Sequence, residues 1–136
     1  MKIAIIGLGY VGLPLAAAFA KKYNVIGIDI NDIRIKELMN YKDSTNELNS
    51  LELKDVINKS ITLDNKISSA KDCNVFIITV PTPVTESKQP NLTPVINATK
   101  SVASIIKKGD IVVYESTVYP GVTEDICVPI LNEISG

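Results

Sequence analysis

A chain of 136 residues, 46% hydrophobic and 21% charged, can bury the core of one α/β domain but is too short for two typical domains. A formal charge of −1 without a basic cluster argues against nucleic acid as the main partner. Apolar stretches of only strand length, interrupted by glycine and lysine, argue against a membrane span, so a cytoplasmic protein is expected.

Two cysteines, Cys73 and Cys127, with no histidine anywhere, are too few for a disulfide framework, a zinc site or a Ser-His-Asp mechanism. No metal is expected, and both thiols read as buried.

The first predicted strand, over 2–6, runs directly into Gly7-Leu8-Gly9-Tyr10-Val11-Gly12. A G-x-G-x-x-G turn between strand and helix suits a dinucleotide's pyrophosphate. Gly7 makes the tight turn, Gly9 lets backbone approach phosphate, Gly12 lets the helix pack on the strand, and the ligand's charge meets a helix N-terminus. Glycine-rich turns also serve packing alone, so context matters. A helix is predicted over 11–22, with Pro14 tolerated in its first turn. The next strand, over 25–28, ends in Asp29. That spacing suits a carboxylate accepting from the adenosine ribose hydroxyls and repelling the 2′-phosphate of NADP; the plainer alternative is a helix-capping residue.

A helix over 32–41 follows, then a polar stretch over 42–65 in which Leu48, Leu51, Leu53, Val56 and Ile57 suggest a short helix before a strand over 61–63. The strand over 75–80 leaves through Val80-Pro81-Thr82-Pro83. This is either a stiff loop presenting Thr82 to a crevice or a plain proline-rich exit. A helix over 94–107 reads with Thr93 as N-cap and Lys107-Lys108-Gly109 as its stop. The last strand, over 111–115, exits through Ser116-Thr117-Val118-Tyr119-Pro120-Gly121, which turns the chain or caps the final helix, over 122–134. Alternating strands and helices imply a single-domain α/β fold, a Rossmann-type doubly wound parallel sheet. Right-handed crossovers give strand order 3-2-1-4-5, with the crevice at the carboxyl ends of strands 1 and 4.

Four segments in this order, Gly7 to Pro14, Asp29 with Arg34, Val80 to Pro83, and Glu115 to Gly121, resemble the NAD-binding domain of the UDP-glucose/GDP-mannose dehydrogenase family over essentially the whole chain. Asp43-Ser44-Thr45-Asn46-Glu47 and the form of the Val80 loop are most similar to bacterial enzymes acting on UDP-N-acetylhexosamines. The resemblance implies oxidation of a UDP-sugar, a UDP-N-acetylhexosamine or else UDP-glucose, at C6, alcohol to acid, with two NAD+ and a cysteine-bound thiohemiacetal, for polysaccharide biosynthesis. It implies that Gly7, Leu8, Gly9, Tyr10, Val11 and Gly12 hold pyrophosphate, that Asp29 holds the adenosine ribose and that Arg34 lies by the adenosine. Thr82 and Thr117 then line the nicotinamide side, with Val80, Pro81 and Ser116 also against the cofactor, and Thr117 helps to position a catalytic water.

The family's nucleophilic cysteine, in a glycine-rich motif with lysine, asparagine and aspartate helpers, does not occur here. Cys127 sits in Glu124-Asp125-Ile126-Cys127-Val128-Pro129-Ile130, among acids and apolar residues that disfavour a thiolate. The expectation is a truncated domain lacking the family domain's last strand, inactive by itself, binding NAD and able to self-associate through the exposed sheet edge. A UDP-sugar would be a partner only of the full-length protein. Two other readings are a 6-phosphogluconate-type hydroxy-acid dehydrogenase domain, which shares the glycine turn, and a non-catalytic NAD-sensing module.

Overall fold

Five apolar segments, Lys2–Ile6 (β1), Asn24–Ile28 (β2), Ile61–Asp64 (β3), Val75–Ile78 (β4) and Ile111–Tyr114 (β5), pair into one parallel sheet in a computed structural model that describes residues 1–116 and 121–135. Strand order is β3-β2-β1-β4-β5, as the crossover rule predicts. In register, Ile6 of β1 lies opposite both Ile28 of β2 and Ile78 of β4, so the three carboxyl ends finish level. The chain winds outward from β1 in both directions, and the connections leaving β1 and β4 diverge to opposite faces. The crevice between them is where such sheets bind ligands.

The helices are Gly12–Phe19 (α1), Asp32–Met39 (α2), Ser50–Val56 (α3), Thr93–Ala103 (α4) and Val128–Ser135 (α5). Side chains along a strand alternate between faces, so β1 feeds two cores. Ile3 and Ile5 pack with Leu8, Leu13, Leu38 and Leu53 on one face, while Ala4 and Ile6 pack with Phe76, Ile78 and Val102 on the other. Each fully buried aliphatic or aromatic side chain contributes on the order of 1.5–3 kcal/mol relative to exposure.

Three local details differ from the sequence-based expectation, two in α4 and one in the last helix. Thr93 is not the N-cap of α4 but its first residue; Leu92 stands at the cap without a side-chain bond, and Asn91 Oδ1 accepts the Thr93 N–H at 3.0 Å. Pro94 has no donor, so an asparagine reaching two residues forward satisfies the group that needs it. The same helix stops at Ala103, where Ser104 Oγ donates to Ser101 O at 2.6 Å and competes for a helical carbonyl. The weakly periodic stretch before β3 does hold the expected short helix, α3, started by a capping box in which Asn49 Oδ1 accepts from Glu52 N and Glu52 Oε1 accepts from Asn49 N.

The last helix is not uniform either. It begins as a π turn, Thr123–Cys127, in which the Val128 N–H reaches back to Thr123 O. Pro129 follows immediately, and its missing N–H breaks the regular ladder at the point where the π turn shifts it.

Candidate cofactor site

The carboxyl ends of β1, β2 and β4 open into a cavity of about 970 Å³ walled by the glycine turn, Asp29 to Asn31, Val80 to Thr82, and Glu115 with Ser116. That volume suits a large organic ligand. The three glycines of the turn differ in what the fold asks of them. Gly7 has φ +103°, and a Cβ there would meet Val80 N at 2.9 Å; a Cβ on Gly12 would lie 1.7 Å from Gly7 O and 2.5 Å from Thr79 Oγ1. At Gly9 φ is not positive, and a Cβ would meet no protein atom within 4 Å. The fold itself therefore demands glycine at 7 and 12 and has no use for it at 9.

The backbone around Gly9 is equally one-sided. The Gly9 and Val11 carbonyls accept from Leu13 and Leu15 at 3.2 Å, but the N–H groups of Gly9, Tyr10, Val11 and Gly12 have no acceptor among the described residues. They stand ahead of α1, whose N-cap Val11 offers no side-chain bond. Unpaired donors at a helix N-terminus, beside a position where a Cβ is missing for no internal reason, form an anion cradle. A pyrophosphate fits it.

Asp29 extends from the end of β2 into the same cavity. Its Oδ2 accepts the Leu8 N–H and its Oδ1 the Asn31 N–H, both at 3.0 Å. It does not cap α2; Asn31 does, accepting from Ile33 and Arg34 amides. Arg34 lines the cavity but is 8% exposed, with Nε donating to Leu8 O at 2.7 Å and Nη1 to Glu37 Oε1 at 2.7 Å and Asp43 Oδ1 at 2.8 Å. The Ser44 amide on Glu37, aided by Arg34, holds the Glu37 carboxyl below its ordinary range against a smaller opposing effect of burial.

On the β4 side, Val80, Pro81 and Thr82 line the cavity, Thr82 being half-buried. The loop then folds on itself, Thr85 N donating to Gln89 O and Asn91 N to Pro83 O. Ser116 lines the cavity too, and its hydroxyl is tied to Val80 O at 2.8 Å, joining the exits of β4 and β5. Thr117, with Val118, Tyr119 and Pro120, lies outside the described residues. Of the predicted site residues, Gly7, Leu8, Gly9, Tyr10, Val11, Asp29, Arg34, Val80, Pro81, Thr82 and Ser116 all line the cavity, while Gly12 is buried behind the turn.

Sequence reasoning passed over two groups. Thr79 is buried beneath the turn and donates to Gly7 O at 2.6 Å, a contact that required knowing that β1 and β4 are neighbours. Thr93, Asn97 and Ser101 form a polar stripe of α4 along the cavity, legible as i, i+4, i+8 spacing once the helix is oriented. The cysteines are remote from chemistry. Cys127 is fully buried, and Cys73 is 1% exposed with its thiol pushed up chiefly by burial.

A parallel sheet whose strand order reverses beside such a turn, with an acid closing its second strand, places the chain in the class of dinucleotide-binding domains. More particularly, it belongs to the UDP-glucose/GDP-mannose dehydrogenase family, whose NAD binding domain matches residues 1–136. Its relatives include the UDP-N-acetyl-D-glucosamine 6-dehydrogenase of Pseudomonas aeruginosa, 54% identical over 100% of this chain and 32% of that protein. Protein CapL of Staphylococcus aureus is 48% identical over 98% of this chain and 31% of its own length. Among solved structures, the UDP-D-ManNAc dehydrogenase of Pyrococcus horikoshii superposes with a TM-score of 0.92 at 34% identity, covering 100% of this chain and 33% of that one. The chain thus spans about a third of the length of these relatives. Membership in this family displaces the 6-phosphogluconate-type reading.

Proposed function

We propose that this chain is the cofactor-binding part of a nucleotide-sugar 6-dehydrogenase, acting within a longer protein on a UDP-N-acetylhexosamine. The choice of sugar rests on two relatives named UDP-N-acetyl-D-glucosamine 6-dehydrogenase that share about half of its residues. The observation that carries the cofactor role is the row of unpaired N–H groups from Gly9 to Gly12 beside the empty space at the Gly9 Cβ position. NAD+ bound there would supply a hydride acceptor. The turn from Gly7 to Gly12 binds pyrophosphate, and Asp29, anchored through the Leu8 and Asn31 amides, takes the ribose hydroxyls. Arg34 braces this end of the site at the adenosine. Val80, Pro81, Thr82 and Ser116 wall the nicotinamide side, and Thr117 acts with them, positioning a water in the complete enzyme.

The test is calorimetry on the chain itself. NAD+ should bind more tightly than NADP+, because the Asp29 carboxylate would face the 2′-phosphate as a like charge, and Asp29→Ala should narrow that preference. Equal affinity of the unmutated chain for both cofactors would overturn the assignment.

A further inference from the structure

Asp43, in the 43–48 loop, is far from the glycine turn in sequence, yet one side chain joins them. The Asp43 side chain is wholly inaccessible to solvent. Its Oδ1 accepts from Arg34 Nη1 at 2.8 Å, Thr45 N at 2.9 Å and Thr45 Oγ1 at 2.6 Å; its Oδ2 accepts from Glu47 N at 2.8 Å and Leu48 N at 3.0 Å. Five donors converge on a group that only accepts when ionised. Burial pushes this carboxyl up, but the bonds from Thr45, Leu48 and Arg34 outweigh it and hold the group well below the usual carboxylate range.

A guanidinium is planar, so fixing Nη1 with Asp43 and Glu37 also fixes the direction of Nε. Nε donates to Leu8 O at 2.7 Å. That carbonyl belongs to the Leu8–Gly9 peptide, and in a planar trans unit the N–H points opposite to the C=O. The N–H in question is that of Gly9, first of the unpaired donors in the cradle. Asp29 fixes the preceding peptide by accepting the Leu8 N–H.

The geometry points to Asp43 as a positioning residue for cofactor binding: through Arg34 it aims the Gly9 N–H at the pyrophosphate, a role that rests on the NAD-binding reading above. The carboxylate need not touch the cofactor. Asparagine is nearly isosteric but can present an oxygen to only one of the two donor sets, so Asp43→Asn breaks the relay at its source.

The experiment measures NAD+, ADP-ribose and adenosine binding to the unmutated chain, Asp43→Asn, Arg34→Lys and the double variant by calorimetry. Asp43→Asn should weaken NAD+ and ADP-ribose by about tenfold, the scale of one charged hydrogen bond, and leave adenosine unchanged because it lacks the pyrophosphate. In the Arg34→Lys background the same change should cost nothing further, since residues acting in series are non-additive. Unchanged ADP-ribose affinity, equal weakening of adenosine and ADP-ribose, or additive losses would each overturn the relay. Should Asp43→Asn fail to fold, NMR of the unmutated chain decides: an Arg34 Nε–H protected from solvent exchange supports the relay, and one exchanging like a free guanidinium overturns it. Failure of the unmutated chain to bind NAD+ removes the cofactor reading itself; binding that is indifferent to Asp43 removes only the positioning role.

Discussion

Gly9 separates binding from folding at a single residue. Its Cβ space is vacant and its φ is ordinary, whereas Gly12 is wedged against Gly7 O and Thr79 Oγ1. Gly9→Val should therefore fold with a stability loss under about 1 kcal/mol, since a Cβ there meets no protein atom, and lose NAD+ binding because the new methyls occupy the phosphate's place. Gly12→Ala should instead unfold the domain or lower its melting temperature by many degrees. Thermal unfolding beside calorimetry distinguishes the two, and wild-type NAD+ affinity in a folded Gly9→Val chain would refute the phosphate-turn assignment.

Asp43 makes the matching prediction for pH. Its carboxyl is depressed in the folded chain, so between the folded value and the unfolded value of about 3.9 the folded state binds fewer protons. The stability it contributes is complete above that unfolded value and drains away as pH falls through the folded one. Melting temperatures recorded from pH 7 down to pH 3 should fall less steeply for Asp43→Asn than for the unmutated chain. Parallel acid limbs would show that Asp43 is not the responsible group.

Among the elements, β5 is the exposed one. It pairs with β4 along one side only and is an edge of the sheet among the described residues. Helix α5 packs on α4 and does not form a further strand beside it. An apolar edge without proline or inward charge templates pairing with another chain, so concentration-dependent self-association through β5 is expected. Val113 looks from sequence alone like the place for a blocking lysine, but it is half-buried against the core containing Ile77, so a charge there would test folding instead. Ile111 is 56% exposed. Ile111→Lys should reduce association in analytical ultracentrifugation while leaving the melting temperature nearly unchanged; a unmutated chain that stays monomeric at high concentration would refute the edge-pairing idea.

For the molecule as a whole, the cavity is lined by the glycine turn, Asp29 and the Val80 loop and, among the described residues, by no cysteine. Both cysteines are buried in apolar cores, Cys127 with Val95 and Val122, and Cys73 with Phe76 and Ala70, which leaves neither thiol facing the cavity. The chain by itself should bind NAD+ yet show no oxidation of any UDP-sugar, followed as NADH absorbance. Turnover that vanished in Cys127→Ser would reverse that conclusion. Among the described residues no helix is long and apolar enough to cross a membrane.

The sequence alone determined the five strands, their order and the place of the crevice, because apolar periodicity, glycine spacing and crossover handedness are local or rule-bound properties. It also placed Asp29 and the proline-stiffened Val80 loop at strand ends. Some of the rest was written locally but faintly: the Asn49 to Glu52 capping box marks α3, and Pro129 warns of an irregular ladder in the last helix. Tertiary structure alone showed the contacts behind the glycine roles that the motif had assigned: with β4 packed beside β1, a Cβ at Gly7 or Gly12 would strike protein atoms and one at Gly9 would not. It alone decided what Arg34 does as well. Leu8, Arg34 and Asp43 are brought together by the chain's return around β2, and a hydrogen bond between residues 26 positions apart has no signature in sequence spacing. Local pattern sets where backbone goes; which polar groups are left unpaired, and so free to bind, is settled only when every other group has found its partner.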